Sequence, residues 1–134
     1  MTTRGKNRIL AGLTGVAVVA FAVAVLPTIA SSSRDDVREV SVVVRDMAFY
    51  VDGAPEANPI LSLRAGERVR LRVRNEDAGM RHDFTIRAWT VSTKMLEDRG
   101  EEDVVEFRVP DTRGSQTYQC TPHPGMMTGT VRVE

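Results

Sequence analysis

Tyr118-Gln119-Cys120-Thr121-Pro122-His123-Pro124-Gly125-Met126-Met127, followed by Thr128-Gly129-Thr130-Val131-Arg132-Val133-Glu134, places a thiol, an imidazole and a thioether on one short loop before a terminal strand. Cys is a soft thiolate ligand, His an imidazole ligand and Met a weak thioether. Among 134 residues there are one Cys and two His, Cys120 with His82 and His123. Two imidazoles and a thiolate in one plane, with a long axial thioether, are a donor set suited to copper. Zinc is the alternative ion, but one thiolate beside a thioether suits copper better. A binuclear centre would need a second bridging Cys, which the chain lacks.

Outward from that loop, the pattern is one of strands. Val69, Leu71 and Val73 alternate with Arg68, Arg70, Arg72 and Arg74, a half-buried strand signature. Val40, Val42 and Val44 alternate in the same way, as do Phe84 and Ile86, Val105 with Phe107 and Val109, and Val131 with Val133. Turn residues punctuate these runs at Asp52-Gly53-Ala54-Pro55, Ala65-Gly66-Glu67, Asn75-Glu76-Asp77-Ala78-Gly79 and Pro110-Asp111-Thr112-Arg113-Gly114. Many short strands at such spacing predict an all-β sandwich or barrel. Thr93-Lys94-Met95-Leu96-Glu97 is expected to form a helical turn, and Trp89 to pack in the core.

The N-terminus differs. Arg4, Lys6 and Arg8 precede an uncharged apolar run, residues 9–30, long enough to cross a bilayer as a helix. Basic residues on its N-terminal side place that end in the cytoplasm and the remainder outside. The run is read as an uncleaved membrane anchor, with a cleaved secretory signal ending at Thr28-Ile29-Ala30 as the alternative. Residues 31–39 then form a polar tether, and residues 40–134 one domain. Beyond residue 30 the chain has 15 basic and 18 acidic side chains, so nucleic acid is an unsuitable partner. A lone thiol in an oxidising compartment needs burial, pairing between chains or a metal to protect it.

The segment from Tyr118 to Pro124, with Asn75 and His82-Asp83-Phe84-Thr85-Ile86 upstream, resembles the copper-binding segments of the cupredoxins, amicyanin and plastocyanin types in particular. The resemblance covers about residues 40–134 and implies a Greek-key β-sandwich, with one copper ion held by His82, Cys120 and His123 as equatorial ligands. It implies Met127 as the axial ligand. Met126 stands at the amicyanin spacing from His123, but Met127-Thr128-Gly129-Thr130-Val131-Arg132-Val133 matches the Met-x-Gly-x-apolar-x-apolar strand of the family. A one-residue slip would turn the side chain to the other face. Asp83 replaces an Asn common in the family; it is expected to accept a backbone N–H near Thr121 while adding negative charge near the site.

The function this implies is single-electron shuttling between redox partners, such as a cytochrome or an oxidase, by a monomeric domain on the outer face of a membrane. No acid–base pair or substrate pocket is evident, so no enzyme is expected. The alternatives are a copper-delivery protein for an oxidase and a metal-free structural sandwich. The arginine stripe is expected to be a solvated face, with a docking surface for an acidic partner as the alternative.

Overall fold

The two segments with the clearest period-two pattern lie side by side. In the computed structural model, which describes residues 36–134, they are β1 (Val37–Arg45) and β4 (Arg68–Asn75), paired in parallel with Val42 opposite Val73. The other strands are β2 (Ala48–Val51), β3 (Leu61–Leu63), β5 (Thr85–Ile86), β6 (Val91–Ser92), β7 (Glu102–Arg108), β8 (Gly114–Gln119) and β9 (Thr128–Val133). One sheet runs β2-β1-β4-β7 and the other β3-β9-β8-β5-β6. Both sheets are mixed, because β1 runs parallel to β4 and β3 parallel to β9. The sequence expectation of an all-β sandwich holds. Val42, Val44, Val69, Leu71 and Val73 of the first sheet share one buried cluster with Leu61, Leu63, Ile86, Tyr118, Val131 and Val133 of the second.

Several local expectations change. Val37, Arg38 and Glu39, assigned to the tether, open β1 opposite Arg68–Arg70. Arg38 also donates to the Ser62 carbonyl at 3.1 Å and pairs with Glu67. The helical turn expected over 93–97 is absent. The Thr93 N–H donates to the Phe84 carbonyl, the Phe84 N–H to Thr93 Oγ1, and Leu96 forms an antiparallel bridge with His82. Pairing across the chain outcompetes the local turn; a short 3-10 turn lies instead at Arg87–Trp89. Trp89 is half-buried, its ring 6.0 Å from that of Phe107. Strand β8 escapes the period-two pattern because Ser115, Gln116 and Thr117 are exposed and only Tyr118 is buried. Its register comes from β9 instead.

The arginine stripe faces solvent and is matched in charge by its own neighbours. Arg70 lies 2.6 Å from Glu106, Arg72 is 2.9 Å from Glu102 and 3.4 Å from Glu39, and Arg74 is 2.7 Å from Glu76. Each exposed pair contributes at most about 1 kcal/mol. Together they leave little unbalanced positive charge for an acidic partner, which favours the solvated-face reading. The proposed anchor, residues 1–30, and tether residues 31–35 lie outside the described residues. Among the described residues no helix is long and apolar enough to cross a membrane.

Candidate metal centre

His82 stands at the end of the β4–β5 connection. Its backbone is clamped both ways by Leu96: the His82 N–H donates to the Leu96 carbonyl at 2.9 Å and the His82 carbonyl accepts the Leu96 N–H at 2.8 Å. Asn75, fully buried at the end of β4, shapes the loop that leads there. Its Nδ2 donates to the Met80 carbonyl at 2.7 Å, and its Oδ1 accepts the Asp77 N–H at 2.9 Å. Cys120 follows β8, and the loop to β9 closes on itself. The Cys120 N–H donates to the Met127 carbonyl at 2.9 Å, while the Met126 and Met127 N–H groups both reach the His123 carbonyl. Thr128 Oγ1 donates to the Pro124 carbonyl at 2.6 Å. This bonding explains how a loop rich in Pro and Gly holds one shape.

These two connections bring three donors together. Cys120 Sγ lies 3.7 Å from His82 Nδ1 and 3.6 Å from His123 Nδ1. The three donor atoms all fall within 4.8 Å of one another. A first-row ion about 2.0–2.1 Å from nitrogen and about 2.3 Å from sulfur, in a trigonal plane, would space nitrogen and sulfur about 3.8 Å apart. The observed separations suit such an ion without rearrangement. His82 and Cys120 are fully buried, and His123 is partly exposed. Met127 is fully buried while Met126 is 63% exposed, as the strand register anticipates. His82, Cys120, His123 and Met127 are thus positioned as a type 1 copper site.

The electrostatics favour a cation between these groups. Burial pushes the His82 imidazole below its ordinary pKa, against the pull of Asp77, so the ring is neutral and free to coordinate. Burial pushes the Cys120 thiol up; backbone N–H groups of Asp83 and His123 oppose that rise and the Asp83 carboxylate adds to it. A buried thiolate therefore needs a positive partner, which a metal ion supplies. Asp83 behaves as expected, Oδ1 accepting the Thr121 N–H at 2.6 Å.

The structure adds supports that sequence spacing does not single out. Asp77 Oδ2 lies 3.1 Å from His82 Nε2, the ring nitrogen left over when Nδ1 faces Cys120. Asn58 accepts the Phe49 N–H and donates to the Met126 carbonyl at 3.1 Å, tying the β2–β3 connection to the Cys120 loop. Gly129 faces Tyr118 across β8 and β9, and a Cβ there would overlap the Tyr118 phenol. The glycine of the Met-x-Gly motif is therefore a requirement of Tyr118, whose hydroxyl donates to the Pro59 carbonyl at 2.7 Å. An aromatic lying across a strand glycine is the only sequence signal for that pairing.

Comparison with known proteins agrees with this geometry. A family model described as copper binding proteins, plastocyanin/azurin family, matches residues 64–134. No curated protein sequence matches the chain. Among solved structures, auracyanin B superposes with a TM-score of 0.57 at 24% identity, covering 72% of this chain and 88% of that one. Auracyanin A, a "blue" copper protein from the green thermophilic photosynthetic bacterium Chloroflexus aurantiacus, gives 0.56 at 17% identity, covering 74% and 100%. A chain from a heme-copper terminal oxidase dimer gives 0.58 at 19% identity, covering 77% and 68%. At these identities the structural likeness speaks for the fold, whereas the family match spans more than half of the chain. With its donor residues gathered at one end of a β-sandwich, the chain belongs to the plastocyanin/azurin family of copper-binding proteins.

Proposed function

We propose that this protein is a mononuclear type 1 copper electron carrier that works outside the cytoplasm and passes single electrons between redox partners. The observation that carries the reading is the fully buried Cys120 thiol with a histidine nitrogen 3.6 and 3.7 Å to either side. His82 Nδ1, Cys120 Sγ, His123 Nδ1 and the Met127 thioether would hold the ion. Copper, when bound, supplies a one-electron couple. The chain supplies a donor set whose backbone is locked by Leu96 on one side and by the Cys120–Met127 hydrogen bonds on the other. Donors that do not have to move keep the reorganisation cost of electron transfer small.

Asp77 and Asp83, the carboxylates beside the centre, are both engaged by protein donors, which suits electron transfer rather than proton chemistry. His123 is the partly exposed ligand, and exposed Pro124, Gly125 and Met126 follow it in the loop. This surface is the proposed contact for a redox protein, through the small transient interface typical of such encounters. The fold likeness to a chain of a heme-copper terminal oxidase dimer is compatible with an oxidase as partner. Residues 9–30 are proposed to hold the domain at the outer membrane face.

The test is copper reconstitution of the full chain with optical and electron paramagnetic spectra. Intense thiolate-to-copper absorption with reversible one-electron cycling is expected, and Cys120→Ser should abolish the colour. Colour that survives in Cys120→Ser refutes the site. Tight Cu(I) binding and transfer to an acceptor without reversible cycling points to copper delivery instead.

A further inference from the structure

Asp77 carries two tasks at once. The β1–β2 turn is two residues long, with Arg45 paired to Ala48, and both of its residues, Asp46 and Met47, have positive φ (51° and 61°). Such a turn normally uses Asn and Gly, so Met47 is in an unfavourable conformation. Asp77 holds it there: Oδ1 accepts the Asp46 N–H at 2.8 Å and Oδ2 the Met47 N–H at 3.2 Å. The same Oδ2 lies 3.1 Å from His82 Nε2. His82 is completely buried and Asp77 largely so, their side chains being 0% and 15% exposed. Solvent therefore screens this carboxylate–imidazole contact weakly.

We propose that Asp77 is a positioning and tuning residue of the metal centre, fixing the His82 tautomer and biasing the bound copper toward its oxidised state. The inference rests on the reading of His82 as a ligand. With Nε2 donating to Asp77, the proton cannot sit on Nδ1, and the Nδ1 lone pair points toward Cys120. A carboxylate that accepts from a ligand imidazole raises its basicity. Its negative charge, held on the far side of the ring, stabilises the more positive ion. Asp83 places a second carboxylate near the centre, so the local charge favours Cu(II) in the same sense.

The experiment measures the reduction potential of the copper-loaded full chain by redox titration of its visible band. Asp77→Asn, which removes the charge while keeping one acceptor, is expected to shift preference toward Cu(I) by about ten- to hundredfold, the usual weight of such a support. Each tenfold is 59 mV for a one-electron couple. Asp98→Asn removes the same charge from a loop carboxylate that bonds Gly79 and Arg99 rather than His82, and should move the potential much less. To separate the turn from the imidazole, the comparison is repeated in Met47→Gly, where a glycine accepts the positive φ without help. The Asp77→Asn shift should persist there. Copper binding with a potential unchanged by Asp77→Asn, or a shift equal to that of Asp98→Asn, overturns the inference and leaves the copper site standing. A shift that vanishes in Met47→Gly assigns Asp77 to the turn and also overturns it. Absence of a copper band in the unmodified protein overturns the reading of the site itself.

Discussion

Gly129→Ala tests how the fold closes behind the metal loop. A Cβ at this position would overlap Tyr118 Cζ and Oη and lie 2.7 Å from Cε1. The ring has nowhere cheap to go. It stacks on Phe84 with centroids 4.9 Å apart and meets Phe49 edge-on at 5.5 Å, and its hydroxyl donates to the Pro59 carbonyl. Overpacking costs about 1–3 kcal/mol, and a displaced ring that abandons its buried hydrogen bond costs about 1–3 kcal/mol more. The expected loss is about 2–6 kcal/mol, or a fall in Tm of at least about 8 °C for a domain of this size. Urea unfolding followed by Trp89 fluorescence measures it. The cycle is closed with Tyr118→Ala, in whose background Gly129→Ala should cost almost nothing, giving a coupling energy of about 2 kcal/mol or more. A loss below about 0.5 kcal/mol in the native background, or a full loss that persists without the ring, refutes the argument. Because Tyr118 lies near the end of β8, two residues before Cys120, Gly129→Ala should also speed copper loss.

Met127→Leu is expected to shift the reduction potential and the visible spectrum at a stability cost under about 1.5 kcal/mol, because the swap nearly conserves volume. Met126→Leu, at an exposed position, should change neither; the reverse outcome moves the axial ligand to Met126. Asp98 accepts the Gly79 and Arg99 N–H groups, and these bonds hold its carboxyl below the ordinary 3.8. Its contribution to stability is therefore present above that value and lost as pH falls through and below it, so Asp98→Asn should flatten the acid limb of an unfolding curve. Arg72→Gln, which removes the pairs with Glu102 and Glu39, should destabilise by less than about 2 kcal/mol, with the difference shrinking in high salt, as exposed charges require.

Strand alternation in β4 was legible because exposure there follows a period of two that local chemistry alone imposes, whereas β1 buries Val42, Val43 and Val44 in succession. Strand β8 was not legible. Residues 114–119 carry a single buried side chain, Tyr118, so no local pattern marks them; β8 exists because β9 and β5 flank it. The same holds for residues 93–97, where a plausible turn gave way to bonds with Phe84 and His82 from another part of the chain.

The sequence by itself determined the donor chemistry of this protein. One thiol, two imidazoles and a methionine leave few ions to choose from, and the register of the final strand marks Met127 as the inward side chain. Tertiary structure alone decided the rest: that His82 Nδ1 and His123 Nδ1 come within 3.7 Å of one sulfur, that Asp77 backs the buried imidazole, and that Asn58 braces the copper loop from another connection. The reason is physical. Ligand type is a property of single residues, whereas distances between residues far apart in the chain exist only once two sheets have packed and their loops have met at one end.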